Sequence, residues 1–229
     1  MFARQGARVV LGDIADAEGE AVAASIGLDA CLYVHADIAK SAEVQAMVDA
    51  TIARFGRIDI LVNNAGIIYN HTPITEQTEQ EWDHTLGVNL TGAWLATKFC
   101  FPHMKESGGS IINISSIAAV VGNPNQTAYG ASKGGLLQLT RHCAAEGAAK
   151  QIRVNCISPA GILTKMALGT KPGITMEELI EWNSKRYPIK RPGMPDDVAH
   201  CCVFLASEES GFITGQNIVM DGGLVTLRV

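Results

Sequence analysis

The chain has 229 residues, 47% hydrophobic and 18% charged, enough apolar material for one sizeable globular core and too much for a disordered segment. Its net charge is −5, and Lys and Arg are scattered rather than gathered in a stripe, which argues against nucleic acid as a partner. No apolar run approaches the ~18 residues of a membrane span, so no membrane partner is expected either.

The predicted elements alternate along the chain. Residues 2–7 read as the last turn of a helix with Gly6 as its left-handed cap. A strand at 7–11 leads to a helix at 15–26, and a strand at 31–35 to a helix at 41–55 stopped by Gly56. A strand at 58–62 precedes a long helical pattern at 79–105. A strand at 110–114, a helix at 127–150 and a strand at 152–157 follow. A short helical region at 176–184, a helix at 195–206 and a strand at 217–220 close the chain. Continuously apolar strands alternating with helices predict an α/β fold, a doubly wound parallel sheet covered on both faces, in a single domain spanning 1–229. Six cysteines form no C-x-x-C pair and six histidines show no metal-ligand spacing, which predicts reduced thiols, no metal and a cytoplasmic protein. Met1-Phe2-Ala3-Arg4-Gln5 also lacks the apolar core of a signal peptide.

In open parallel sheets ligands bind outside the carboxyl ends of the strands, so chemistry should collect there. Asp13 follows the first strand, where an acid hydrogen-bonds the ribose of an adenosine dinucleotide and repels a 2′-phosphate, favouring NAD over NADP. Taken alone it reads first as a solvated turn aspartate. Asn63-Asn64-Ala65-Gly66 follows the third strand, with amides for hydrogen bonding and a glycine that leaves room for a ligand; it also reads as a plain turn. Ser115 and Ser116 follow the fourth. Tyr129 lies thirteen residues beyond Ser116, and Lys133 four further, on the same face of a helix. An ammonium one turn from a phenol favours phenolate, which suits the phenol to act as acid or base on an alcohol oxygen. The Ser116 hydroxyl can donate to that same oxygen. The Pro159–Thr164 turn can hold an amide, or can be a Pro-Gly turn and nothing more.

Together with Asn89 in Val88-Asn89-Leu90 and the tail motifs Arg191-Pro192-Gly193, Phe204-Leu205-Ala206-Ser207, Ile213-Thr214-Gly215-Gln216 and Asp221-Gly222-Gly223, these residues resemble the short-chain dehydrogenase/reductase family from Met1 nearly to the C-terminus. The resemblance implies an NAD-dependent Rossmann-like enzyme acting on an alcohol or ketone, as a homo-oligomer, dimer or tetramer. It implies Tyr129 as acid/base, Lys133 on the nicotinamide ribose and lowering the phenol pKa, Ser116 orienting the substrate oxygen, and Asn89 holding a water in a relay to Lys133. It places Asp13 and Ile14 on the adenosine ribose and Asp37 and Ile38 at the adenine. Asn64, Ala65 and Gly66 would run along the cofactor, and Pro159, Gly161, Ile162 and Thr164 would lie at the carboxamide.

This sequence departs from the pattern twice. Ala160 stands where the family usually has glycine, a mild change if its φ is negative. Only twelve residues precede Asp13, whereas the Gly-rich phosphate turn belongs about 20 before it. The first strand and that turn are therefore expected to be absent, leaving a gap between the strands near Ala7 and Ile58. A rival expectation is a non-catalytic chain that associates with other copies through the helices at 79–105 and 127–150. The Tyr129–Lys133 spacing disfavours an enoyl-thioester reductase, and Asp13 disfavours an NADPH-dependent ketoacyl reductase. Sugar epimerases with the same pair are longer and lack this tail. The substrate pocket is expected between 117–126 and 166–188, with Leu168, Met176, Leu179 and Trp182 suiting an apolar, cyclic alcohol or ketone.

Overall fold

A computed structural model describes residues 1–69, 72–104, 108–170 and 173–227. Apolar β-branched runs form six parallel strands: β1 (Val9–Asp13), β2 (Cys31–His35), β3 (Ile60–Asn63), β4 (Gly109–Ile114), β5 (Ile152–Pro159) and β6 (Asn217–Met220). β1 pairs with β2, and β3, β4, β5 and β6 pair in that order. Because every ladder is parallel, Asp13, Asn63, Ile114, Pro159 and Met220 all finish strands at the carboxyl edge.

Helices α1 (Asp16–Ile26), α2 (Ser41–Phe55), α3 (Glu79–Leu86), α4 (Gly92–Cys100), α5 (Thr127–Gly147), α6 (Lys165–Gly169), α7 (Met176–Arg186) and α8 (Pro195–Ala206) connect the strands. Local chemistry sets several of their ends. Gly56 stops α2 at φ 75°, in the left-handed region a side chain resists. Thr78 opens α3 in a capping box, its hydroxyl accepting from Glu81 N while the Glu81 carboxylate accepts from Thr78 N. Successive residues of β4 point to opposite faces and carry the two halves of the core. Ile111 packs with Val48, Ile58, Cys100 and Val154, and Ile112 with Ile157, Cys202 and Leu205.

Some boundaries differ from the sequence reading. β1 starts two residues later than predicted, and Ile58 forms an isolated bridge to Met104 instead of opening β3. The single long helix at 79–105 is broken by a π turn at Gly87–Thr91 and ends in a 3-10 turn at Phe101–His103, with Pro102 inside it. Its predicted last residue, Lys105, lies outside the described residues. Short α6 goes unpredicted. It is too short to show a periodicity.

β1 and β3 are not hydrogen-bonded to each other. The split falls where the sequence reading puts an absent strand. Residues 9–11 and 60–62 are only half-buried, while the middles of β4 and β5 are almost wholly buried.

Candidate active site

The carboxyl edge brings the catalytic candidates together. Tyr129 and Lys133 sit one turn apart on α5, the Lys133 Nζ 5.8 Å from the centre of the Tyr129 ring. Ser116, two residues past β4, lies within electrostatic reach of the phenol and caps the following 3-10 turn by accepting from Ala118 N at 3.2 Å. The Lys133 ammonium donates to Ile114 O at 2.8 Å, and Ser115 Oγ donates to Lys133 O at 2.9 Å. Strand β4 and helix α5 are thus stitched at the lysine itself.

The charge states differ from the sequence reading. The phenol of Tyr129 is raised above its ordinary value by burial, with the Ser116 hydroxyl pulling the other way. Burial likewise depresses the neighbouring Lys133 ammonium, to about 8. The ammonium is engaged by Ile114 O and carries a full charge only below that pH.

Asn89 is buried. It lies in the π turn, a backbone irregularity that often marks functional positions. Its side chain makes three hydrogen bonds: Oδ1 accepts from Ile67 N at 2.7 Å, and Nδ2 donates to Ile67 O at 2.9 Å and to Ser132 Oγ at 3.0 Å. The side chain therefore clamps the loop after β3. Ser132 passes the clamp on, donating to Tyr129 O at 2.7 Å. A Cβ on Gly66 would sit 3.2 Å from Lys133 Nζ and 3.4 Å from Asn89 Oδ1, so only glycine lets this loop approach so closely without crowding them. Asn64 and Ala65 beside it are exposed, whereas Asn63 is buried and donates to Asn113 and Thr97.

At the far end of the edge, Asp13 is exposed; its carboxylate accepts from Ala15 N at 3.0 Å and its backbone oxygen from Tyr33 Oη and Ala36 N, with Ile14 65% exposed next to it. Asp37 follows neighbouring β2 and shapes the entry to α2. Its Oδ1 accepts from Ala39 N, and its N donates to Glu43. Ile38 packs inward against Val44, Leu95 and Ala96. In the Pro159–Thr164 turn, Ala160 is not among the left-handed residues, and its N–H donates to Met220 O. The turn offers fewer free N–H groups than expected: Gly161 N is taken by Tyr187 and Leu163 N by Gly193 O. Thr164 Oγ1 caps α6 by accepting from Ala167 N.

Beside Ser116 and Tyr129, residues 118–123 with Gln126, Thr127 and Gly130 line an open cavity of about 390 Å³ without a charged side chain. Of the expected pocket residues, Leu179 is buried in the interior, while Met176 and Trp182 are exposed. Ser132 and Tyr187 were not singled out by sequence. Ser132 carries a signal, a small polar residue between Tyr129 and Lys133 on an otherwise packed helix; Tyr187 carries none.

A family model described as enoyl-(acyl carrier protein) reductase matches residues 1–225. The chain is 38% identical to a trans-4-hydroxycyclohexanecarboxylate dehydrogenase of Sinomonas cyclohexanicum, over 97% of this chain and 85% of that protein. It is 41% identical to a 3-alpha-(or 20-beta)-hydroxysteroid dehydrogenase of Mycobacterium tuberculosis, over 96% and 81%. A crystal structure from Brucella melitensis, titled short-chain dehydrogenase/reductase SDR:glucose/ribitol dehydrogenase, superposes with a TM-score of 0.91 at 33% identity, covering 99% of this chain and 89% of that one.

Proposed function

Because the chain belongs to the short-chain dehydrogenase/reductase family, a family of oxidoreductases using NAD or NADP, we propose that it transfers a hydride between NAD(H) and a secondary alcohol or ketone, with Tyr129 as acid/base. The observation that carries this reading is the convergence of the Tyr129 phenol, the Ser116 hydroxyl and the Lys133 ammonium at one strand end.

The residues along the edge fit a dinucleotide. Gly66 leaves open the space beside Lys133 Nζ, and exposed Asp13 and Ile14 offer a carboxylate and an apolar side chain at the adenosine end. Lys133 would hold the nicotinamide ribose, and Asn64, Ala65 and Gly66 would border the cofactor. Asp37 and Ile38 would border the adenine, and Pro159, Gly161, Ile162 and Thr164 the carboxamide. The nicotinamide, when bound, supplies or accepts the hydride. In ketone reduction the Tyr129 hydroxyl gives its proton to the substrate oxygen, and in alcohol oxidation the phenolate takes it. Ser116 donates a hydrogen bond to that oxygen and holds it in reach of the phenol. Asp13 favours NAD, since a 2′-phosphate would meet its charge unpaired. The cavity beside Ser116 has no charged side chain and so suits a neutral alcohol or ketone. The same reading makes residues 1–229 one catalytic domain, in the cytoplasm, in a dimer or tetramer.

Tyr129→Phe, assayed by NADH oxidation with cyclohexanone, should lower the rate at least ~100-fold. A rate within twofold of wild type overturns the acid/base assignment. The rival reading is a chain that only associates with other copies through the helices at 79–105 and 127–150. Saturable micromolar NADH binding rules it out.

A further inference from the structure

Tyr187 lies just beyond α7 and is 2% exposed. Its phenol oxygen accepts a hydrogen bond from Gly161 N at 2.9 Å, reaching across to the turn that follows β5. The fit is close: a Cβ on Gly161 would stand 2.6 Å from that oxygen. The phenol is fixed from behind as well. Tyr187 N donates to Asn183 O, Lys190 N donates to Tyr187 O, and Ile189 N donates to Gly222 O beyond β6. With Ala160, Gly161 and Leu163 N–H all engaged, Ile162 and Thr164 keep the turn's unpartnered N–H groups among the described residues.

We propose that Tyr187 is a positioning residue for the nicotinamide end of the cofactor, holding Gly161 N–H so that the turn presents the N–H groups of Ile162 and Thr164 to an amide ligand. The proposal rests on the dehydrogenase reading. It also gives the Gly at 161 a reason: a larger residue would push the phenol away. Because Tyr187 follows directly on α7, a shift of that helix would reach the carboxamide turn through the hydrogen bonds between the phenol and Gly161.

Tyr187→Phe tests this in the full chain with two ligands, NADH and ADP-ribose, the second lacking the nicotinamide. Dissociation constants are measured by fluorescence and calorimetric titration, and amide hydrogen exchange is followed at Gly161. The variant should exchange the Gly161 amide roughly tenfold faster, consistent with a lost buried hydrogen bond. It should bind NADH roughly tenfold more weakly and ADP-ribose as wild type does. Equal losses for both ligands, or no loss for either, overturn the positioning role, and unchanged exchange at Gly161 overturns the clamp. Wild-type protein that binds neither ligand overturns the dehydrogenase reading instead, and this proposal with it. Should Tyr187→Phe fail to fold, Gly161→Ala probes the same contact from the other side. It should lose NADH but not ADP-ribose affinity, and a loss of both sinks the proposal.

Discussion

Replacing Lys133 by methionine should make the protein more stable near neutral pH and change how stability depends on pH. Lys133 is buried, and its ammonium is depressed from 10.5 to about 8. That drop is worth about 3 kcal/mol at 1.36 kcal/mol per pH unit, the cost of keeping the charge folded at low pH. Methionine fills a similar volume without the charge but gives up the bond to Ile114 O, so a net gain of about 1–3 kcal/mol at pH 7 is expected. The sign across pH follows from linkage. Between about 8 and 10.5 the folded lysine binds fewer protons than the unfolded one, so its contribution to stability rises with pH over that window and is flat below it. The advantage of Lys133→Met should therefore shrink by about 1 kcal/mol from pH 8 to pH 9. The buried thiols of Cys100 and Cys202, pushed up to about 12, slope the other way, but they are common to both proteins and cancel in the difference. Urea melts of both proteins at pH 7, 8 and 9 measure the gap. A variant less stable than wild type at pH 7, or a gap that does not narrow, refutes the reasoning.

Two further changes probe the scaffold. Gly92→Ala would place a Cβ 2.8 Å from Ile38 Cγ1 and 2.9 Å from Ile38 O, and should destabilise by about 1–3 kcal/mol. Helix propensity alone gives the opposite sign, so a higher urea midpoint would show that the Ile38 contact yields freely. Thr78→Ala removes the capping box of α3 and should cost about 1 kcal/mol, read as a lower urea midpoint with unchanged slope. An unaltered midpoint would mean that α3 does not depend on its cap.

Chain-local chemistry was legible in advance. The turn glycines, the apolar runs and the Tyr129–Lys133 spacing each depend on neighbours a few residues away, and β2, α2, α8 and β6 lie where the periodicity puts them. The pattern at the strand ends also singles out Ser116 and Gly66. The charge states were not legible. Whether Lys133 lowers its neighbour's pKa depends on how much water surrounds the ammonium, which is set by the packing of α5 on β4 and not by spacing.

The same division applies to the polar side chains that hold the site together. Nothing within a few residues of Asn89 says that its amide clamps Ile67, 22 positions away. Nor does anything near Tyr187 point to Gly161, 26 positions back. By itself the sequence determined the strand-helix alternation, the family resemblance and the types of group available for chemistry, because periodicity and turn preference are properties of short stretches. The tertiary structure alone decided which donors are already engaged, which charges are suppressed and where the sheet divides. Those depend on burial and on hydrogen bonds between segments distant in the chain, where each polar group left without water must find a partner.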